Sequence, residues 1–280
     1  MNIDAKSLRQ VNALKARYGK NAPSTLGPWN DHFELLLSHR SVRRFKPDPI
    51  PDGAIQNIIA AAQSSATSSN LQAWSVVMIT DAAQKAEMAK IADGQKQIEE
   101  CPVFLLWVAD LARSKRVAES AAADLDGSNF FEAFLVAAID AAIAAQNATV
   151  AAESIGLSTV YIGAMRNDMR RVAKLINLPP GSAVVFGLCL GHAAPGAEGE
   201  VKPRLPQSAV LFKDKYGVEQ EEQLIESYDG DMTDFSKRQG MDADSWSGRV
   251  LARLGSGDGN VMRGRQHLKK AIKALGFHLR

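Results

Sequence analysis

Apolar positions follow two rhythms along this chain. Short, nearly unbroken apolar runs at Trp74 to Thr80, Val103 to Ala109 and Ala183 to Leu190 predict strands. Helical spacing governs the rest. Ile55, Ile58, Ile59 and Ala62 recur on one face after Pro51 and Asp52. Asp31 is expected to cap a helix through His39 with Phe33, Leu36 and Leu37 on one side. Residues 1 to 20 predict a short charged helix, followed by turn formers from Asn21 to Pro28. The prolines of Lys46-Pro47-Asp48-Pro49-Ile50-Pro51 exclude regular structure there. Met169 to Ile176 predicts another helix, ended by Leu178-Pro179-Pro180-Gly181.

The dominant helix runs from about Asn129 to Ser154, with Gly156 as its expected C-cap. Ala137, Ala138, Ala141, Ala142, Ala144 and Ala145 make it narrow. A helix apolar nearly all round is either central to a core or shared with a second subunit. The order of elements favours an α+β fold, a sheet flanked by helices. Residues 214–262 are charged, contain glycines and show weak periodicity, which predicts an excursion or mobile loop region rather than a second core.

Composition narrows the function classes. With 46% hydrophobic and 23% charged residues, the 280-residue chain suits one globular domain, or one with an appendage. Disordered, collagen-like and disulfide-stapled classes are excluded. The formal charge of +2 gives no basis for nucleic acid as a partner, so any anion site must be local. The basic run from Arg263 to Lys270 fits the wet side of a terminal helix whose apolar side is Leu268, Ile272 and Leu275. Cys101 and Cys189, each in an apolar stretch, are expected to be buried free thiols. No apolar h-region opens the chain. Glu132, Asp140, Gln146, Asn147 and Glu153 interrupt the most apolar stretch, so no membrane span is expected. A soluble cytoplasmic protein is the expectation.

The common nucleotide, hydrolase and zinc motifs are missing, and the five histidines are scattered, so no metal site is expected. Small polar and basic clusters remain. In an extended His39-Arg40-Ser41-Val42-Arg43, residues 39, 41 and 43 share one side. That side is a chelate for phosphate, or the segment is a solvated basic turn complementing a helix C-terminus. Thr67-Ser68-Ser69-Asn70-Leu71-Gln72 offers hydroxyls and amides for a polar heterocycle or ribityl chain, or is an ordinary loop. Gln95-Lys96-Gln97 follows Gly94. In Tyr161-Ile162-Gly163-Ala164, Gly163 allows a flat ligand close to the backbone, or serves only a turn. Lys202-Pro203-Arg204 presents two cations to one side, for a phosphate or as a surface pair.

Taken in order, these segments resemble the nitroreductase superfamily. The carriers are His39-Arg40-Ser41-Val42-Arg43, Ser68 to Gln72, Gly94-Gln95-Lys96, Tyr161-Ile162-Gly163, Gly187-Leu188-Cys189-Leu190-Gly191 and Lys202-Pro203-Arg204-Leu205-Pro206. Within that superfamily the chain is most similar to the oxygen-insensitive NADPH nitroreductase and flavin reductase group. The likeness runs from about Asp31 to the C-terminus, leaving residues 1–30 as an N-terminal extension and 31–280 as the flavin-binding domain. It implies a nitroreductase-like α+β fold with a mostly antiparallel central sheet, and a homodimer built on the long helix with an FMN site shared between subunits.

The resemblance also implies roles. His39, Lys202 and Arg204, supported by Ser41, would hold the FMN phosphate, and Arg40 would be a further cofactor-binding residue. Arg43 would face the pyrimidine edge, and Gln95, Lys96 and Gln97 the ribityl or pyrimidine part. The Gly163 amide, within Tyr161 to Ala164, would meet flavin N5. Thr67, Ser68 and Ser69 would reach the flavin of the other subunit, and Gln72 would be a further cofactor-binding residue. No side chain need serve as acid, base or nucleophile. The implied reaction is ping-pong, two-electron reduction of a nitroaromatic, quinone or similar small acceptor by NAD(P)H. A flavin reductase supplying reduced flavin, or a flavin-binding or sensing protein with little turnover, are the alternatives. In NADPH-preferring members several arginines precede a D-x-W-S segment. Here Asp244-Ser245-Trp246-Ser247 is preceded by Lys237 and Arg238 alone among cations, with Asp242 between, so both NADPH and NADH stand as donors.

Overall fold

The structure, a computed structural model, describes residues 5–242, 245–255 and 262–280. Eleven α-helices are described. They are α1 (Ala5–Tyr18), α2 (Asp31–Ser38), α3 (Ala54–Gln63), α4 (Ala82–Ile91), α5 (Gln97–Glu100) and α6 (Ala112–Ser120). After them come α7 (Phe131–Ser154), α8 (Met169–Leu175), α9 (Glu221–Arg238), α10 (Trp246–Leu254) and α11 (Leu268–Ala274). The chain divides into two compact units. Met1–Arg40 with Gly199–Val261 forms the smaller, and Ser41–Glu198 with Met262–Arg280 the larger.

The larger unit holds the sheet. Strands β1 (Trp74–Ile79), β2 (Val103–Asp110), β3 (Ser158–Ile162) and β4 (Ser182–Gly191) lie in the order β1-β2-β4-β3, every pair antiparallel. All eight residues of β2 are buried, so its unbroken apolar run serves two cores at once. Because side chains alternate, Val103, Leu105, Trp107 and Ala109 face one core and Phe104, Leu106 and Val108 the other. The first core is closed by Ile58 and Ala62 of α3, the alanines of α7, and Ile272 of α11. Met88 and Ala89 of α4, Ile98 of α5 and Val172 of α8 close the second.

Helix α7 has the length and composition of a membrane-crossing helix. Ala137, Ala141, Ala144, Ala145, Ala148 and Ala152 nevertheless lie wholly inside the first core, where α3 packs against the helix. The other side exposes Phe131, Leu135, Ile139 and Ile143, an apolar stripe at four-residue spacing. Gly156, at φ +79°, ends α7 as expected, with its amide on the Glu153 carbonyl. Cys101 and Cys189 are buried and unbridged. Leu268, Ile272 and Leu275 pack inward as the terminal helix pattern predicts.

Four expectations change. The sheet has a fourth strand, β3, beside the three the apolar runs predict; its five residues are bounded by Gly156 and Gly163 and paired to β4. Asn30, not Asp31, caps α2 by accepting the Phe33 amide at 3.1 Å, leaving Asp31 in the first turn. Helix α2 also stops at Ser38, so His39 lies just outside it. Finally, the stretch read as a loop contains α9 and α10. Tyr228, Met232 and Phe235 of α9 are buried with Leu205 and Trp246 as a small core. Their i, i+4, i+7 spacing is helical, masked by charged neighbours and Gly230.

Candidate functional site

In the smaller unit the backbones of the segments that carry the implied phosphate cations converge on one buried guanidinium. Arg17, in the last turn of α1 and 5% exposed, donates to the carbonyl oxygens of Lys202 at 2.7 Å and His39 at 2.9 Å, and to that of Leu37. In return the Arg204 amide donates to the Arg17 carbonyl at 2.9 Å. The 202–204 loop is held from its other side by Tyr228, whose hydroxyl donates to the Pro203 carbonyl at 3.1 Å. Lys202 Nζ lies 5.7 Å over the Phe235 ring. The exposed Arg204 guanidinium folds onto the Lys202 and Pro203 carbonyls at 3.3 and 3.1 Å. Arg40 donates to the Ser38 carbonyl at 3.3 Å. His39, Arg40, Lys202 and Arg204, expected to act together, are thus gathered in one unit.

Burial, then the charge of Arg204, push the Arg17 guanidinium down to about 10, still cationic at neutral pH. Tyr228 is pushed up by its own burial, opposed by the Arg204 charge.

Lys237 and Arg238 sit in the last turn of α9, where cations complement the helix C-terminus. Arg238 Nε donates to Glu200 Oε2 at 3.1 Å. It also lines an open cleft of about 440 Å³ with Lys15, Glu200, Asp231 and Asp234. Asp244, which opens the D-x-W-S segment, lies outside the described residues.

In the larger unit Ser41 and Arg43 are exposed on either side of Val42, which is buried. The Val42 amide donates to the Thr159 carbonyl at 3.0 Å, laying this segment beside β3. Gly163 follows β3 directly and opens a short 3₁₀ turn with Ala164. A Cβ on Gly163 would come 3.2 Å from Arg166 Nη2, so the backbone here is closely approached. Arg166 in turn donates to the Val185 carbonyl at 2.5 Å. Tyr161 packs edge-on against Phe186 at 5.3 Å, with its hydroxyl 3.0 Å from Thr149 Oγ1; burial pushes this phenol up to about 12.

Gln95, Lys96 and Gln97 lead into α5, with Gln97 Nε2 donating to Gln95 Oε1 at 2.8 Å. The buried Lys85 fixes the far end of this segment by donating to the Glu99 and Cys101 carbonyls at 3.0 and 2.6 Å.

The Thr67-to-Gln72 loop precedes β1, the opposite sheet edge from β3. Two strands separate those edges, roughly 14 Å at about 4.8 Å per strand. Ser69, Asn70 and Gln72 all adopt positive φ (51°, 54° and 48°), which non-glycine residues hold only when the surroundings enforce it. Asp140 of α7, 1% exposed, supplies that force: its carboxylate accepts the amides of Ser68 at 3.2 Å and Ala73 at 3.1 Å. Arg113 braces the same segment through the Gln72 and Trp74 carbonyls at 3.1 and 3.3 Å. Gln72 and Arg113 line a second open cleft of about 450 Å³.

Sequence reading missed Arg17 and Asp140. A lone carboxylate among alanines was a signal, because a buried charge requires partners. Arg17 offered none, being one of several cations in a polar helix.

The sequence pattern of the nitroreductase family matches residues 36–192, and that of the nitroreductase family C-terminal domain matches 202–280. The chain belongs to the nitroreductase family. Its relatives in that family include the NADPH-flavin oxidoreductase of Vibrio harveyi, 40% identical over 80% of this chain and 91% of that one. Another is the oxygen-insensitive NADPH nitroreductase of Salmonella typhimurium, 36% identical over 79% of this chain and 90% of that one. Among solved nitroreductase-family structures, the NADPH:FMN oxidoreductase from Vibrio harveyi complexed with NAD+ aligns with a TM-score of 0.79 at 36% identity. It covers 90% of this chain and 100% of that one. The nitroreductase fold read from the sequence is therefore the fold this chain adopts.

Proposed function

We propose that this protein is an FMN-dependent NAD(P)H oxidoreductase that reduces nitroaromatics, quinones or related small electrophiles by two electrons in a ping-pong cycle. The observation that carries the proposal is the gathering of His39, Lys202 and Arg204 around Arg17. Their segments lie far apart in sequence and are drawn to one place, and their donor chemistry is that of a phosphate-monoester site. The donor chemistry of these residues fits FMN: His39, Lys202 and Arg204, with Ser41 in support, would hold its phosphate.

When bound, the flavin supplies the redox chemistry. The chain's own residues bind and tune it. Arg43 would supply a positive charge at the pyrimidine edge, where negative charge develops on reduction. The Gly163 amide, within Tyr161-Ile162-Gly163-Ala164, would donate to flavin N5, and the Gln95-Lys96-Gln97 segment would hold the ribityl or pyrimidine part. NADPH, the donor in the relatives' names, is the expected reductant, with Lys237 and Arg238 as its contacts; NADH serves as the alternative.

We further propose a homodimer in which Thr67, Ser68, Ser69 and Gln72 complete the partner's site. Two features support it. That loop and Gly163 lie at opposite sheet edges. Asp140 pins the loop to the same helix that exposes Phe131, Leu135, Ile139 and Ile143. A cytoplasmic location belongs to the same proposal.

The test is anaerobic stopped-flow reduction of the FMN-reconstituted protein, followed by flavin absorbance with NADPH and NADH compared. Rapid bleaching, then recovery on adding a nitroaromatic or quinone, is the expected result. Bound flavin that neither nicotinamide reduces would leave a flavin-binding protein without this activity.

A further inference from the structure

The N-terminal extension carries a residue with a specific task. We infer that Arg17 is a positioning residue for the flavin phosphate, setting the spacing of His39 and the Lys202–Arg204 loop through their backbone carbonyls. The inference rests on the flavin reading above and assigns a role to helix α1, which precedes the family match at residue 36.

Three observations lead there. Arg17 is buried, yet its hydrogen bonds go to neutral carbonyls, two of them belonging to residues whose side chains carry the implied phosphate donors. One planar guanidinium thus fixes two segments at once, which a point cation such as lysine does poorly. The tie is also reciprocal, since the Arg204 amide returns a hydrogen bond to the Arg17 carbonyl. Loop and helix end therefore move together or not at all.

The third observation is electrostatic. Arg17 and Arg204 lie close enough to repel, and Arg17 is desolvated without a carboxylate among its hydrogen-bond acceptors. A buried cation in that state is costly. A dianion on Arg204 and Lys202 relieves the repulsion. The arrangement holds together, in advance of the phosphate, the backbone segments that carry the cations, so part of the cost of assembling the site is met by folding.

The test compares FMN with riboflavin, which is the same flavin without the phosphate, by fluorescence titration of the apoprotein. The variants are Arg17→Met, Arg17→Lys and Arg204→Ala in the full chain. Arg17→Met keeps the stem and should weaken FMN by about 10- to 100-fold while leaving riboflavin affinity unchanged. Arg17→Lys, which restores the charge but not the fork, should fall between wild type and Arg17→Met. Equal loss of both flavins in Arg17→Met and Arg17→Lys would make Arg17 a fold-holding residue only and overturn the inference. So would an unchanged FMN-to-riboflavin ratio in both Arg17 variants beside a lowered ratio in Arg204→Ala. An unchanged ratio in Arg204→Ala as well would instead sink the phosphate assignment on which the inference stands.

Discussion

The carboxylate of Asp140 holds the backbone of Ala73, accepting its amide at 3.1 Å across 67 residues of chain. With Ser68 on its other oxygen, it clamps both ends of a loop in which Ser69, Asn70 and Gln72 take left-handed backbone angles. Long helix and loop are thus tied together at two points.

Asp140→Asn tests that clamp. An asparagine keeps one acceptor oxygen and places an NH₂ against the second amide, leaving a buried donor unmatched. Stability should fall by about 1.5–3 kcal/mol in chemical denaturation. FMN affinity should drop with it if the loop reaches the flavin. Unchanged stability would show that the three left-handed residues need no clamp.

Gly187→Ala should be destabilising for a separate reason. A Cβ there would sit 2.3 Å from the Phe104 ring, inside the second core and far below van der Waals contact. Overpacking of this kind costs about 1–3 kcal/mol or more. Leu106 lies opposite Gly187 in the β2–β4 pair, so the strain enters the two central strands. A variant with wild-type stability would mean that the ring moves freely aside.

The apolar stripe on α7 makes a prediction about assembly. Ile139→Glu places a charge in the middle of Phe131, Leu135 and Ile143. Analytical ultracentrifugation should show a dimer become a monomer, with weaker flavin binding. A variant that stays dimeric would move the interface elsewhere.

Arg238→Ala separates the two nicotinamides. Arg238 pairs with Glu200 on the surface, both partners about half exposed, so losing the pair should change stability by less than about 1 kcal/mol. The KM for NADPH should rise more than that for NADH. Equal effects on the two would show that Arg238 does not meet the 2′-phosphate.

Tyr161 gives an alkaline signature. Its buried phenol has a pKa pushed up to about 12 from the ordinary 10.0, so the folded state favours the neutral form. Its contribution is complete below pH 10 and is lost between 10 and about 12, where the unfolded chain releases the proton first. The loss amounts to about 2–3 kcal/mol at most. Tyr161→Phe should flatten the decline in stability over that range, measured by urea unfolding at successive pH values.

Much of this architecture is legible in the residues, and the exceptions have physical causes. Strands β2 and β4 announce themselves because both faces are covered and nearly every position is apolar. Helix α7 does so through its alanines. Strand β3 stays hidden because its five residues mix Ser, Thr and Tyr with valine and isoleucine between two glycines. The basic clusters at 39–43 and 202–204 mark the candidate site, since cations in fixed spacing are local features. Arg17 is not legible, because its partners are carbonyls, which every residue possesses, reached through folding alone.

The reach of Arg17 bears on how the chain is made. Its Lys202 partner lies 185 residues downstream. At roughly 5–20 residues per second, the ribosome delivers that partner only about 10–40 s after Arg17 itself has been made. Helix α1 therefore completes this contact long after it is made, and it spends that interval with a guanidinium that has nothing at residue 202 to hold. By then the whole sheet has been made, so the smaller unit closes after the larger one has its strands.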